Sequence, residues 1–173
     1  MVDKIEYRIK IMDVEKYNPE WHKEFEHESK SIREYLGSIV IDIQHSGSIA
    51  IKGIASKPIV DIAVLVSNIE NADAIESTLS NLGYTYFPKS SSVERMFFRK
   101  GNPVKCHLSL TEQGKTPYWE RQILFRDYLN AHPEKAKEYE NLKRELILKD
   151  PQAGQVYTDG KSEFVEEILK LAK

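Results

Sequence analysis

At 173 residues the chain is long enough for one well-cored domain, and its 40% hydrophobic and 30% charged residues are ordinary for a globular protein. A net charge of −2 argues against a dedicated nucleic-acid binder, and the single cysteine, Cys106, excludes an intramolecular disulfide and a cysteine-based zinc finger. The opening MVDKIEYRIK lacks the apolar core of a signal peptide and no apolar run can span a bilayer, so we expect a cytoplasmic protein without membrane partners.

The first predicted element is a long amphipathic helix. Asn18 suits the N-cap position and Pro19 the first helical position, so the helix is predicted to begin there and to end at Gly37. Its apolar face is predicted to consist of Trp21, Phe25, Ile32, Tyr35 and Leu36.

Two strands are predicted next, separated by a glycine-serine turn. In SIVIDIQH, Ile39, Ile41 and Ile43 alternate with more polar positions, which is typical of a strand. Residues 58–66 form a nearly continuous run of β-branched side chains, which predicts a central strand buried on both faces.

The rest of the sequence predicts one helix, three short strands and then only helices. The helix covers residues 72–82 and stops at Gly83, before the strand segments YTYF, VERMFFRK and VKCHLSL. The later helices are predicted at residues 118–130, 133–148 and 162–173. Pro133 is the break between the first two, and the DPQAGQ segment is the break before the third. We therefore predict a single α+β domain over residues 1–173, with an α+β core at 1–116 and a helical C-terminal third at 117–173.

The stretch HSGSIAIKGIASKPIVD (residues 45–61) places a tight turn close to an isolated acid. Gly47 allows a close backbone approach and Ser48 offers a hydroxyl, so a helical turn starting there would suit a phosphate group. Because an unpaired buried carboxylate costs several kcal/mol, Asp61 needs a partner or a cleft. Facing the turn, Asp61 can bind Mg²⁺ or another divalent cation, as phosphoryl and nucleotidyl transfer require. The alternative is a plain strand-to-turn junction with a capped aspartate.

The same stretch, read on to HSGSIAIKGIASKPIVDIAV, resembles the signature of the GrpB-like family. The resemblance continues in order through Trp21 of the first helix, KCHLSL, LFRDYLNAHPEKAKEYENLKREL and YTDGKSEFVEEIL, which together cover nearly the whole chain. It implies a nucleotidyltransferase-like fold, a mixed β-sheet flanked by helices. It also implies that Gly47 and Ser48 hold nucleotide phosphates and that Asp61 binds magnesium, but it implies no settled activity.

The sequence departs from the family pattern at three positions. Ala63 stands two residues after Asp61, where active nucleotidyltransferases carry a second acid, and a two-metal site needs several carboxylates. Ile49 replaces a threonine-like residue. Lys52 replaces a proline, although a lysine there can strengthen anion binding.

Other residues are candidates to complete a site. Asp61, His45, His107 and Glu94 can form a mixed nitrogen and oxygen site for zinc, manganese or iron. The candidate ligand or phosphate contacts are Gly47, Ser48, His45, Lys52, Arg126 and Lys161, and Lys57 can stabilise developing negative charge. The alternative for each histidine is a hydrogen-bonded strand residue, and for Lys57 and Lys161 it is a solvated lysine.

Two groups of residues are assigned no part in chemistry. Cys106 and His107 are adjacent on a strand, so they point to opposite faces and cannot form a nucleophilic pair. Cys106 is therefore predicted to be a buried structural thiol. Arg99, Lys100 and Lys105 flank a turn and are predicted to be solvated charges.

Three functions remain open at this point. The first is transfer of a nucleotidyl or phosphoryl group, with phosphate at the glycine-serine turn, magnesium at Asp61 and Lys57 facing the developing charge. The second is a non-catalytic nucleotide- or phosphate-binding module, which Ala63 favours because the second carboxylate is missing. In both, the partner is a nucleotide or another phosphorylated small molecule. The third is a metal–histidine site built on Asp61 and His107.

Overall fold

A mixed β-sheet of five strands lies at the centre of the computed structural model, which describes residues 14–173. The strands are β1 (Val40–Ser46), β2 (Val60–Val66), β3 (Tyr84–Tyr86), β4 (Met96–Lys100) and β5 (Cys106–Glu112). They lie in the order β1-β2-β5-β4-β3, with β2 and β5 parallel and the other neighbours antiparallel. The MVDKIEYRIK stretch considered for a signal peptide lies outside the described residues.

Helices cover both faces of this sheet. They are α1 (Glu20–Leu36), α2 (Ala72–Asn81), α3 (Pro117–Ala131), α4 (Pro133–Lys149), α5 (Gln155–Gly160) and α6 (Ser162–Leu171). Helices α1 and α2 pack on one face and α3 on the other, where α4 and α6 pack against α3. Within the part of the chain described, no helix has the length and apolar character needed to cross a membrane. The predicted α+β class, the mixed sheet and its flanking helices are confirmed.

A short helix, α5, begins inside the segment that was predicted to be a break. The DPQAGQ segment does follow the end of α4, with Asp150 as the C-cap residue. Its last residue, Gln155, already belongs to α5. The Asp150 carboxylate accepts a hydrogen bond from the backbone N–H of Tyr157 at 3.1 Å, which stabilises the start of the new helix. A helix this short shows too little apolar periodicity to be predicted from its sequence.

The main apolar core lies between the sheet and helices α1 and α2. Its buried members from β2 and α1 are Val60, Ile62, Val64, Val66, Trp21, Phe25, Ile32 and Leu36. Strand β2 is central in the sheet, and Ala63 on its other face is also buried, so burial on both faces is confirmed. Tyr35 is 53% exposed, because it lies at the edge of the apolar stripe of α1 and not within it.

Strand β1 contains a bulge and lies at the edge of the sheet formed by the described residues. Its pairing with β2 skips Ile41, which is left 43% exposed. The strand is confirmed, but the alternation of Ile39, Ile41 and Ile43 does not mark one buried face, because the bulge shifts the strand by one residue. Val40 and Ile43 are the buried residues. After the bulge, the Asp42 carboxylate accepts a hydrogen bond from the backbone N–H of Ile43 at 2.8 Å.

A second apolar cluster fastens the segment between β1 and β2 to the C-terminal helices. Ile51 and Ile54 of this segment are buried against Leu129, Ala136, Tyr139 and Ile168. Asn130 of α3 also binds the backbone of the segment. Its side-chain amide donates to the Ala50 carbonyl at 3.0 Å and accepts from the Lys52 N–H at 2.9 Å. The helical third of the chain therefore holds the turn in which the sequence predicts a site.

The structure places His45 on the side of the sheet that faces the main core, packed against α1, and outside the linings of the two chambers described below. Its role as a ligand or metal contact stays a prediction. Its ring stacks on Phe25 with centroids 4.7 Å apart and is 8% exposed. Its Nε2 atom has no hydrogen-bond partner among residues 14–173. Burial lowers the pKa of His45 to about 4, and the Asp61 carboxylate opposes this only in part.

We expect the free energy of unfolding to fall as the pH falls from about 6.5 to about 4, because the unfolded chain then takes up a proton that the folded His45 does not. A pKa lowered from 6.5 to about 4 reduces the free energy of unfolding by roughly 3 kcal/mol at pH 4 compared with pH 6.5. In His45→Phe, which keeps a ring stacked on Phe25, this part of the pH dependence should disappear. Denaturant unfolding at several pH values measures it.

His27→Gln, a change at an exposed histidine of α1, is the matched control and should keep the wild-type pH profile. If His45→Phe keeps the wild-type slope between pH 6.5 and 4, His45 is not the group that titrates.

Candidate functional site

A row of polar side chains crosses the sheet on the face opposite the main core. The neighbouring positions, from β1 through β2 and β5 to β4, are Ser46, Asp61, His107 and Arg99. His107 Nδ1 lies 3.1 Å from Asp61 Oδ1. Asp61 therefore has a polar partner and also lines a cleft. Its carboxylate does not have to be buried without a partner in an apolar strand, so the desolvation cost is avoided.

The glycine-serine turn lies directly against Asp61. Gly47 has a φ of +69°, and a Cβ added there would lie 2.7 Å from the Cβ of Asp61 and overlap its carboxylate. Both the backbone conformation and the space therefore require glycine. The next residue, Ser48, donates its hydroxyl to the Tyr139 hydroxyl at 3.4 Å. The helical turn here spans only Ser48–Ala50, so anion binding would depend on side chains more than on a helix terminus.

Two chambers open beside this turn and meet at Asp61. The smaller has a volume of about 270 Å³, and its lining includes Lys57, Arg99, His107 and Tyr157. The larger has a volume of about 480 Å³, and its lining includes Tyr118, Gln122, Phe125 and Tyr139. Both are lined by Ser48, Asp61, Thr158 and Lys161. The strand residues thus form one wall of the cleft and the C-terminal helices the other.

Two lysines of the smaller chamber lie over the same tyrosine ring. The Nζ atoms of Lys57 and Lys161 are 3.8 Å and 4.3 Å from the ring centroid of Tyr157, within the range of cation–π contacts. Neither lysine forms a salt bridge with a carboxylate within residues 14–173. Burial, together with the charge of Lys161, lowers the pKa of Lys57 to about 8, and burial also lowers the pKa of Lys161. The predicted alternative of two solvated lysines is not what the structure shows.

A third lysine, Lys143 of α4, lies behind this chamber. It is 1% exposed, and its ammonium group donates to the Ala55 carbonyl at 3.0 Å and to Ser56 Oγ at 2.7 Å. Burial, and then the charge of Lys161, lowers the pKa of Lys143 to about 7. Because its hydrogen bonds go to the backbone segment just before Lys57, we assign Lys143 to holding that segment in place.

Few of the predicted metal ligands lie together around Asp61. Ala63, two positions along β2, carries no ligand atom. Glu94 lies in a turn, because β4 begins only at Met96 and not at the start of VERMFFRK. Between residues 14 and 173, no group of three His, Cys, Asp or Glu side chains can hold a metal ion. Of the predicted metal ligands, the structure brings together only Asp61 and His107.

Two of the predicted ligand contacts lie outside the chambers. Lys52 is an exposed residue of the segment between β1 and β2. Arg126 of α3 is bonded within the protein: its Nη1 donates to Gln44 Oε1 and to the His45 carbonyl, both at 2.8 Å. Its Nε donates to Asp127 Oδ1 at 2.8 Å, since the long side chain folds back along the helix. Arg126 thus ties α3 to the end of β1 and does not point into the cleft.

Some cleft residues are not identified by the sequence pattern. Arg99, predicted to be solvated, lines the smaller chamber, and its guanidinium lies 4.6 Å from the ring centroid of Phe87. Arg99 lies beside His107 because β4 pairs with β5, and this pairing cannot be read from a single sequence. Tyr157 does have a signal, because it lies four residues before Lys161, a spacing that puts two side chains on the same side of a helical segment.

The neighbours of His107 on the other sheet face behave as the strand alternation predicts. Cys106 is 5% exposed and lies in the main core, and burial, with the Glu28 carboxylate, raises the pKa of its thiol to about 12. It is therefore a structural thiol, as predicted. Lys100, predicted to be solvated, forms a salt bridge with Glu28 at 2.7 Å.

Comparison with known proteins agrees with the sequence resemblance. A model of the GrpB protein family matches residues 11–171. The UPF0157 protein YqkA of Bacillus subtilis is 37% identical over 158 residues, which cover 91% of this chain but 46% of that protein, so the chain spans about half of that relative. The glutamate-rich protein GrpB of Alkalihalophilus pseudofirmus is 36% identical over 158 residues, covering 88% of this chain and 91% of that protein.

A solved structure shows the same fold. The crystal structure of conserved protein GrpB from Enterococcus faecalis superposes with a TM-score of 0.85 at 30% sequence identity. The match covers 92% of this chain and 96% of that chain, so the sheet, the flanking helices and the helical C-terminal third are all included in the similarity.

Gly47→Ala should destabilise the protein by about 3 kcal/mol, because it adds backbone strain at a positive φ and an overlap with Asp61. Gly53→Ala is the matched control. Gly53 has a φ of +80° but nothing within 4 Å of an added Cβ, so only strain of about 1 kcal/mol is expected. Denaturant unfolding of both variants measures the difference. Equal losses in the two variants would show that the turn does not lie against Asp61.

Proposed function

The chain belongs to the GrpB protein family, and on that premise we propose that its cleft binds a nucleotide or another phosphorylated small molecule at the glycine-serine turn. The resemblance in the sequence implies that this family is nucleotidyltransferase-like. A fold alone does not establish an activity, so the function has to be inferred from the side chains of the cleft.

The observation that carries the proposal is the pair of lysines over Tyr157. Burial lowers the pKa of both Lys57 and Lys161, which means that a positive charge at either position costs free energy. Since neither has a salt-bridge partner among the described residues, an anion entering the chamber would supply one. The hydroxyls of Ser48 and Thr158 line the same chamber, where they donate to the Tyr139 hydroxyl and to the Gly154 carbonyl. Each can rotate away from that partner to donate to a phosphate oxygen.

The larger chamber suits the organic part of such a ligand. Its lining includes the aromatic residues Tyr118, Phe125 and Tyr139, which offer apolar and stacking surface. Gln122 and the ion pair of Arg121 with Glu166 lie at the same chamber and add polar contacts. The arrangement, an apolar pocket with a few polar groups next to a cationic chamber, is typical of small-molecule sites.

Nucleotides and pyrophosphate should raise the melting temperature by several degrees, since a ligand at a hundred times its Kd stabilises the fold by about 2.7 kcal/mol. A panel of AMP, ADP, ATP and the corresponding uridine nucleotides, measured by thermal shift, tests this. Adenosine and uridine, which lack phosphate, should produce no comparable shift. Lys161→Gln should lose most of the stabilisation.

Lys52→Gln is the matched control, because Lys52 belongs to the segment between β1 and β2 but is exposed outside the chambers. It should respond to the panel as the wild type does. If no phosphorylated compound shifts the melting temperature of the wild type, with or without divalent cations, the proposed function is wrong.

Nucleotidyl transfer is a second candidate, favoured by the contact between Asp61 and His107. Asp61 holds His107 Nδ1 at 3.1 Å, which orients the ring and leaves Nε2 as the nitrogen available for proton transfer. In this reaction His107 takes the proton of an acceptor hydroxyl, whose oxygen forms a bond to the α-phosphorus as pyrophosphate leaves. Lys57 and Lys161 stabilise the charge that develops on the phosphate oxygens.

If the protein transfers nucleotidyl groups, it should release pyrophosphate from a nucleoside triphosphate when acceptor alcohols are supplied. His107→Gln should bind the triphosphate with unchanged affinity and lose release by at least a hundredfold. Pyrophosphate detection together with calorimetric binding separates the two effects. Binding without release in the wild type would leave the chain as a binding module.

A further inference from the structure

We propose that Lys57 and Lys161 take the place of a divalent metal ion, so that the cleft binds ligands with two adjacent phosphate groups without metal. The inference rests on the proposed function, because it concerns the same cleft. It goes further by naming the source of charge neutralisation and by restricting the ligand class to diphosphates and their esters.

The charges of the smaller chamber support this assignment. Counted over residues 14–173, its lining contains three cationic side chains, Lys57, Arg99 and Lys161, and one carboxylate, Asp61. A divalent ion contributes two positive charges beside a phosphate, and the two lysines contribute the same number. A metal bound at Asp61 would also share a volume of about 270 Å³ with both ammonium groups and would be repelled by them.

The positions of the two lysines are fixed by the protein. Tyr157 is 6% exposed, and its ring holds both ammonium groups in the chamber without a carboxylate partner. Helix α5, which carries Tyr157, is held at its start by the Asp150 carboxylate. Lys161 joins the end of α5 to the start of α6, so a helix fixes its backbone on each side.

Asp61 has a different role in this arrangement from that of a metal ligand. Its carboxylate opposes in part the lowering of the pKa of Lys57 and Lys161 by burial. It is also a negative charge that faces the phosphate site. Replacing Asp61 with asparagine removes that repulsion and keeps a polar group beside His107, whereas in a metal site the same change removes the ligand of the ion. The two arrangements therefore predict opposite effects of one substitution.

The test is calorimetric titration of inorganic pyrophosphate into the full chain at pH 6.5, in EDTA and in Mg²⁺. The variants are Lys57→Gln, Lys161→Gln and Asp61→Asn, with Lys52→Gln as the control. We expect the wild type to bind in EDTA, each cleft lysine variant to bind at least tenfold more weakly, and Asp61→Asn to bind as tightly as the wild type or more tightly. Lys52→Gln should match the wild type. Mg²⁺ should not strengthen binding.

Binding that requires Mg²⁺ and is lost in Asp61→Asn would overturn the inference and leave the proposed function intact. Binding in EDTA that is unchanged in both Lys57→Gln and Lys161→Gln would overturn it as well. The proposed function fails separately, if neither pyrophosphate nor any nucleotide of the panel binds under either condition. Circular dichroism of each variant confirms that it is folded before its affinity is compared.

Discussion

The approach of the Gly47 backbone to the Asp61 side chain determines the geometry of the cleft. Strand β1 ends beside the acidic position of β2, so the chain has to turn within contact distance of a carboxylate, and only glycine fits there. The turn then sends Ser48 towards Tyr139 and buries Ile51 and Ile54 under the C-terminal helices. A shift of this turn would move both walls of the cleft at once.

The cationic character of the cleft comes from its two walls together. Lys57 precedes β2, while Lys161 and Tyr157 belong to the C-terminal helices, so the lysine pair exists only when the two parts are packed. Lys143 strengthens the contact between the two walls, because it extends from α4 and donates hydrogen bonds to the residues just before Lys57. The helical third is therefore part of the site as much as of the core. This explains why a strand-based motif alone describes the site incompletely.

The sequence predicts what depends on local pattern. The apolar run of β2, the helix starting at Pro133 and the need of Asp61 for a partner all follow from short stretches of residues. The contact of Asp61 with His107 joins residues 46 positions apart through a parallel register, which local pattern does not contain. The direction of the His45 side chain also depends on how β1 pairs with β2, which local pattern does not contain. The position of Tyr157 depends on α5, a helix too short to predict. Its four-residue spacing from Lys161 therefore becomes informative only once that helix is known.

The bulge at Ile41 and the side chains around it also affect the outer border of the sheet. Among residues 14–173, strand β1 has a neighbour on one side only, and such strands expose backbone groups on which another strand can assemble. Here the N–H of Ile43 is bonded to Asp42 and the carbonyl of His45 to Arg126, while the bulge distorts the strand before them. Two of the groups that would recruit a further strand are therefore occupied, and together with the bulge they oppose sheet extension and the aggregation that follows from it.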